Sequence, residues 1–163
     1  MKSPRVTLQP VTKDNWKEVV QLKTTEDQAT FVYSTALSLA KVTIKPDGEN
    51  VTYLPFAIYD HDVMVGFVMH AYEADTANMY WVDGFIIDQK YQGRGYGKAA
   101  LTEIVSYIMS QFDQCEEIQL VVKPNNAIAI KLYTDFGFEQ TGETYDDEGD
   151  RYRYKVNRPS RNR

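Results

Sequence analysis

Gln92-Gly93-Arg94-Gly95-Tyr96-Gly97-Lys98 lies between an apolar run, Tyr80–Ile87, and a segment in which Leu101, Ile104, Val105, Ile108, Met109 and Phe112 recur at helical spacing. Three alternate glycines at the entrance to a helix leave backbone N–H groups uncovered, and the helix start adds partial positive charge. That combination suits a phosphate or pyrophosphate. The spacing G-x-G-x-G excludes the dinucleotide fingerprint G-x-G-x-x-G. A Walker loop is excluded as well, because Gln92 stands where its first glycine is needed and Ala99 where Ser or Thr follows the lysine. A turn with only a structural role would not need three glycines entering a helix that they weaken.

Working outward, the spacing predicts a helix over residues 94–112 and a short apolar strand over 118–122. With the strand Tyr80–Ile87 these make a strand–helix–strand unit, whose two strands should run parallel with a right-handed crossover. Upstream, residues 6–8 read as a first strand, and Asp14 as the N-cap of a short helix carrying Trp16, Val19, Val20 and Leu22. A second helix is expected over 25–40, with Phe31, Leu37 and Leu39 as its apolar positions, and Lys45-Pro46-Asp47-Gly48 as a turn. Strands over 54–59 and 63–72 should form a hairpin around Asp60-His61-Asp62. Downstream, a helix over 125–135 precedes a final hairpin, 138–143 with 152–156, around an acidic run that reads as a solvated loop. The order β-α-α-β-β-β-α-β-α-β-β is that of a mixed α/β domain, expected over 1–157 with a basic tail at 158–163.

Composition narrows the function classes. With 43% apolar and 13% aromatic residues in 163, the chain is not of the disordered class. Its apolar runs fall short of the roughly 20 residues that span a bilayer. No apolar stretch follows the first residues, so no signal peptide and a cytoplasmic location are expected. Cys115 is the only cysteine, and His61 and His70 are the only histidines, so neither a disulfide nor a metal site is expected. The net charge of −5 is uneven: residues 151–163 hold six basic side chains and no acid, leaving −11 on residues 1–150. An acidic body disfavours nucleic acid and mildly favours a small cation, although plain solubility is the commoner use of such charge.

A second constellation is Asn125-Asn126-Ala127-Ile128-Ala129-Ile130-Lys131-Leu132-Tyr133. In a helix starting here, Asn126, Ala129, Ile130 and Tyr133 share one face, while Ile128, Leu132 and Phe136 share another that suits the core. A polar start, a small residue and a phenol are an odd set for packing alone, yet Asn126 as a cap and Tyr133 as an amphipathic packing residue would explain them too.

Together the two stretches resemble the GNAT superfamily of N-acetyltransferases. Gln92-Gly93-Arg94-Gly95-Tyr96-Gly97 fits its (Gln/Arg)-x-x-Gly-x-(Gly/Ala) pyrophosphate loop, and Asn126-x-x-Ala129-x-x-Leu132-Tyr133 with Gly137-Phe138 fits its later segment. The resemblance implies a mixed, twisted sheet splayed between its fourth and fifth strands, with helices on both faces. It implies acetyl-CoA as co-substrate and a homodimer. Backbone N–H groups of Phe85, Ile86 and Ile87 would hold the pantetheine and the thioester carbonyl. Gln92 and Gly93, Arg94, Gly95, Tyr96, Gly97 and Lys98 would hold the pyrophosphate, and Asn126 the pantetheine arm, with Tyr133 facing the sulfur. Strand N–H groups can stabilise the developing oxyanion, and a phenol of pKa ~10 can protonate a departing thiolate of pKa ~8.5.

In a regular strand Trp81, Asp83, Phe85 and Ile87 share one face, which makes Asp83 an acid among large apolar neighbours. Asp83 matches the first member of a Glu–Asp pair in spermidine/spermine acetyltransferases, the proposed base, while Gly84 replaces the second. The other readings are Asp83 as an exposed end-of-strand residue or as an amine-binding anion. Glu26-Asp27-Gln28, Gly66-Phe67 and Phe85-Ile86-Ile87-Asp88 with Tyr91-Gln92-Gly93 resemble bacterial diamine and polyamine acetyltransferases. A polyamine or diamine acceptor is therefore expected, with Glu26, Asp27, Glu73 and Asp75 as substrate-binding carboxylates. Rival readings are a protein, amino-acid or drug-like amine acceptor, and a non-catalytic acyl-CoA-binding module.

Overall fold

The computed structural model describes residues 4–24, 34–145 and 147–157. Seven strands form one sheet in the order β1-β2-β3-β4-β5-β7-β6: β1 Thr7–Pro10, β2 Val51–Asp60, β3 Val63–Glu73, β4 Tyr80–Ile87, β5 Glu117–Val122, β6 Glu139–Tyr145 and β7 Gly149–Lys155. Four α-helices stand among the described residues: α1 Trp16–Val20, α2 Thr35–Ile44, α3 Tyr96–Gln111 and α4 Ala127–Phe136. Element order and type match the expected ones. Part of the expected second helix, with Phe31, lies outside the described residues, as does the tail 158–163.

The sheet is covered on both faces, and β3 shows it directly: Met64 to Ala71 are all buried, as a strand packed on two sides requires. One core gathers Val65, Val68, Tyr80, Val82, Ile118 and Leu120 beneath Leu101, Ile104 and Ile108 of α3. The other gathers Met64, Phe67, Met69 and Ile86 beneath Val19 of α1 and Leu39 of α2. Asp60 pairs with Val63 across a two-residue turn, in which His61 has φ 54°, the expected tight hairpin.

Three local expectations are corrected. Asp14 does not cap α1: Asn15 holds the N-cap position without a side-chain cap bond. Its amide is used in the preceding turn, accepting from Thr12 N–H at 2.8 Å and donating to the Pro10 carbonyl at 3.1 Å. Leu37 is exposed rather than a core position of α2, and Ile128, assigned by spacing to the core face of α4, is 73% exposed.

The parallel pair is β4 with β5, and its ladder holds one register pair, Trp81 opposite Gln119. Beyond it the strands diverge, leaving the C-terminal half of β4 without a strand neighbour on that edge among the described residues. This is the expected splay.

Candidate active site

A bulge divides β4. On β3, Val68 alone separates Met69 (opposite Asp83) from Phe67 (opposite Ile86), whereas Gly84 and Phe85 both fill that interval on β4. Gly84 has φ 59°, and a Cβ there would meet Ser38 Oγ of α2 at 2.6 Å. Glycine thus answers two demands, a left-handed backbone and the close approach of a helix. The extra residue also overturns the expected shared face of Trp81, Asp83, Phe85 and Ile87. Phe85 and Ile87 pack with the α3 core, while Trp81 and Ile86 belong to the α1–α2 core. Asp83 stands opposite the buried Met69 and is charge-paired. Its Oδ2 lies 2.7 Å from Lys41 Nζ, and its Oδ1 accepts from Gly84 N–H at 2.9 Å.

After β4 the chain turns into the glycine loop. Asp88 is buried and accepts backbone N–H bonds from Lys90 at 3.0 Å and Lys23 at 3.1 Å. Gln92 Nε2 donates to the Ile87 carbonyl at 2.9 Å, and the Tyr96 hydroxyl donates to Asp60 in the β2–β3 hairpin. That bond raises the Tyr96 pKa and lowers that of Asp60. Gly93 and Gly95 have φ 77° and 88°, and Gly95 is the N-cap of α3 with no side-chain cap bond. The first-turn N–H groups of a 16-residue helix therefore open onto the loop without a capping side chain.

A groove of about 410 Å³ runs along this loop, lined by Phe85, Ile86 and Ile87 of β4, Gln92, Gly93, Gly95, Tyr96, Gly97 and Lys98, and Asn126, Ile128, Ala129, Leu132 and Tyr133. The exposed Ile128 and the Leu132 beside it make one wall apolar. Arg94 does not line the groove; its guanidinium lies 5.8 Å from the centre of the Tyr91 ring. Backbone donors at one end and an apolar wall along the rest fit a pyrophosphate carrying an extended, largely apolar arm.

A larger cavity, about 920 Å³, opens on the other side of Phe85, Asn126, Ala129 and Tyr133, which line both spaces. It lies in the splay between β4 and β5. Asp47, Glu73, Asp83, Asp147 and Glu148 bring carboxylates to it, and Lys41 and Lys123 bring ammonium groups. Asp75 is exposed in the turn after β3 and does not line the cavity; Glu26 and Asp27 lie outside the described residues. Sequence reasoning missed Lys41, Asp47, Lys123, Asp147 and Glu148. The last two belong to the acidic run read as a solvated loop; both are exposed, as that reading expects, and they also line the cavity.

Tyr133 sits where the two spaces meet. It is buried, and burial first, then the charge of Asp83, raises its pKa well above the ordinary phenol value. The phenol is therefore a neutral proton donor across the physiological range. Asn126 caps α4, its Oδ1 accepting from Ala129 N–H at 3.3 Å, and lines both spaces at the same time. No group of three or more His, Cys, Asp or Glu residues with metal-site geometry occurs among the described residues.

The comparisons with known proteins point the same way. The model of the acetyltransferase (GNAT) family matches residues 16–138. The chain is 33% identical over 143 residues to a spermine/spermidine N(1)-acetyltransferase of Bacillus subtilis, covering 85% of this chain and 90% of that one. It is 26% identical over 94 residues to a ribosomal protein bS18-alanine N-acetyltransferase of Haemophilus ducreyi, covering 58% and 61%. In fold it is similar to the spermidine N-acetyltransferase of Vibrio cholerae crystallised with CoA and spermine, with TM-score 0.71, 17% identity and 93% and 95% of the two chains covered.

Proposed function

The chain belongs to the GNAT acetyltransferase family and is an acetyl-CoA-dependent N-acetyltransferase, and from that premise we propose that its acceptor is a primary amine of an aliphatic diamine or polyamine. The observation that carries this reading is the cavity beside Tyr133, where five carboxylates face two ammonium groups at the end of the donor groove. Such a net negative cleft concentrates small cations. The 33% identical relative, named for spermine and spermidine, supports the same acceptor class.

In this reading the N–H groups at the loop and the start of α3, from Gly93 to Lys98, receive the pyrophosphate of acetyl-CoA. Gln92 braces the loop against Ile87, and Asn126 meets the pantetheine arm. Backbone N–H groups of Phe85, Ile86 and Ile87 hold the arm and the thioester carbonyl on the strand edge that the splay leaves open. The free-base amine attacks the carbonyl carbon, forming the C–N bond and a tetrahedral oxyanion that the strand N–H groups stabilise. Asp83 pairs with a second ammonium of the acceptor and takes the proton that the attacking nitrogen sheds. Collapse breaks the C–S bond, and Tyr133 protonates the sulfur. Glu73, and Glu26 and Asp27 from outside the described residues, serve as further cation-binding carboxylates, and Asp75 contributes only at longer range. Residues 1–157 form the catalytic domain, working as a cytoplasmic homodimer.

Free CoA thiol release from acetyl-CoA across spermidine, spermine, putrescine, amino acids and N-terminal peptides tests the reading. Turnover is expected to be greatest with the polyamines. Faster turnover with peptides or amino acids would overturn the acceptor assignment while leaving the transfer chemistry intact.

A further inference from the structure

Lys41 occupies the ground that the acceptor's charge would need. Its Nζ is 2.7 Å from Asp83 Oδ2, with 17% of the lysine side chain and 33% of the aspartate side chain exposed. Burial lowers the Lys41 pKa, but the charges of Asp83, Asp47 and Glu148 outweigh it and the net shift is upward, so the amine remains an ammonium. The three carboxylates come from separate parts of the chain: β4, the turn after α2, and the β6–β7 loop. A primary ammonium on an aliphatic stem, held among them inside the acceptor cavity, has the chemistry of one end of a diamine.

We propose that Lys41 is a resident occupant of the acceptor's cation subsite and thereby determines specificity: a polycationic acceptor must displace the Lys41 ammonium from Asp83 in order to seat its second charge. This inference rests on the amine-acceptor reading above and adds the residue that restricts it. Lys123 lines the same cavity and provides a charge-matched control.

The test uses the full chain with CoA present and reads binding by calorimetry, without turnover. Lys41→Ala should tighten spermidine binding about fivefold or more, the size of one half-buried ion pair. It should also gain a site for n-propylammonium, which replaces the missing stem and competes with spermidine; the wild type should show neither response. Lys123→Ala removes the same charge and should leave propylammonium unbound. Lys41→Gln, which keeps the stem without the charge, should tighten spermidine in the same direction and guards against a misfolded alanine variant. Equal tightening by Lys41→Ala and Lys123→Ala would reduce the effect to net charge and overturn the proposal. Weaker spermidine binding to the Lys41 variants would overturn it too, by making Lys41 a supporting residue. A wild type that acetylates no polyamine would defeat the acceptor assignment instead, and the propylammonium result would still decide the role of Lys41.

Discussion

The two ends of the cleft are built from different materials. The donor groove is made of backbone: glycines with left-handed φ, an uncapped helix start and a strand edge without a neighbour. The acceptor cavity has apolar walls and gathers charged side chains from α2, the turn after it, β3, β4, the residue after β5 and the β6–β7 loop. Among the described residues, only Phe85, Asn126, Ala129 and Tyr133 belong to both. Backbone donors bind any ligand of the right shape and tolerate little change in conformation. Side-chain carboxylates tolerate exchange and set preference. A shared donor with variable acceptors is the behaviour expected of such a division.

The largest effect should come at the junction. Tyr133→Phe keeps the ring and removes the proton, so kcat should fall by ~10²–10⁴-fold while acetyl-CoA affinity changes little. Single-turnover kinetics with a separate binding measurement checks this. An equal loss of donor affinity would mean that Tyr133 belongs to the groove alone. Because the Tyr133 pKa is raised by burial and by Asp83, the phenol stays protonated as pH rises to about 10, the ordinary phenol value. The wild-type kcat profile should therefore show no alkaline limb owed to Tyr133 in that range.

Next comes the backbone end. Gly95 has φ 88°, and a Cβ would stand 3.1 Å from Pro4, so Gly95→Val should distort the loop. Acetyl-CoA at 100 times its wild-type Kd stabilises the wild type by ~2.7 kcal/mol. The variant should lose most of the corresponding rise in melting temperature. An undiminished rise would remove the loop from the donor site.

Asp83→Asn separates two acceptor-side roles. Loss of both functions should lower kcat/KM for every amine by about tenfold or more, with kcat itself reduced. If KM alone rises, and rises more for spermine than for a monoamine, Asp83 binds charge without taking the proton. The smallest effect should be at the rim: Glu148→Gln should raise KM for spermine by about two- to threefold, the scale of an exposed ion pair. The KM for a monoamine should stay nearly level, and 0.5 M salt should erase the difference. An equal change for both amines would show that the acids act only through the general field.

How much of this was legible in the sequence follows the same division. The glycine loop was readable because its parts are contiguous: residues 92–98 carry their conformation in their glycines and open the helix that follows. The order of elements was readable because apolar periodicity reports which faces are buried, and the strand Tyr80–Ile87 was found with its observed bounds. Asp14 failed as a cap because the Asn15 amide is engaged by Thr12 and Pro10, a competition between neighbours that residue preference does not register. Ile128 failed as a core residue because the helix face that spacing assigned to packing borders an open groove.

Residue order and spacing thus determined the glycine loop and the strand and helix on either side of it, since each depends on interactions within a few residues or one helix turn, and two motifs quoted together carried the family resemblance. Only the tertiary structure decided the acceptor end. The bulge at Gly84 lies where α2 brings Ser38 close to β4, and it reverses which face Phe85 and Ile87 occupy relative to Asp83. Lys41 meets Asp83 across 42 positions of sequence, and the β6–β7 loop brings Glu148 to the same cavity from farther still. Charges interact through space, so which of 23 acids converge on one ammonium depends on how the sheet splays, which no local pattern encodes.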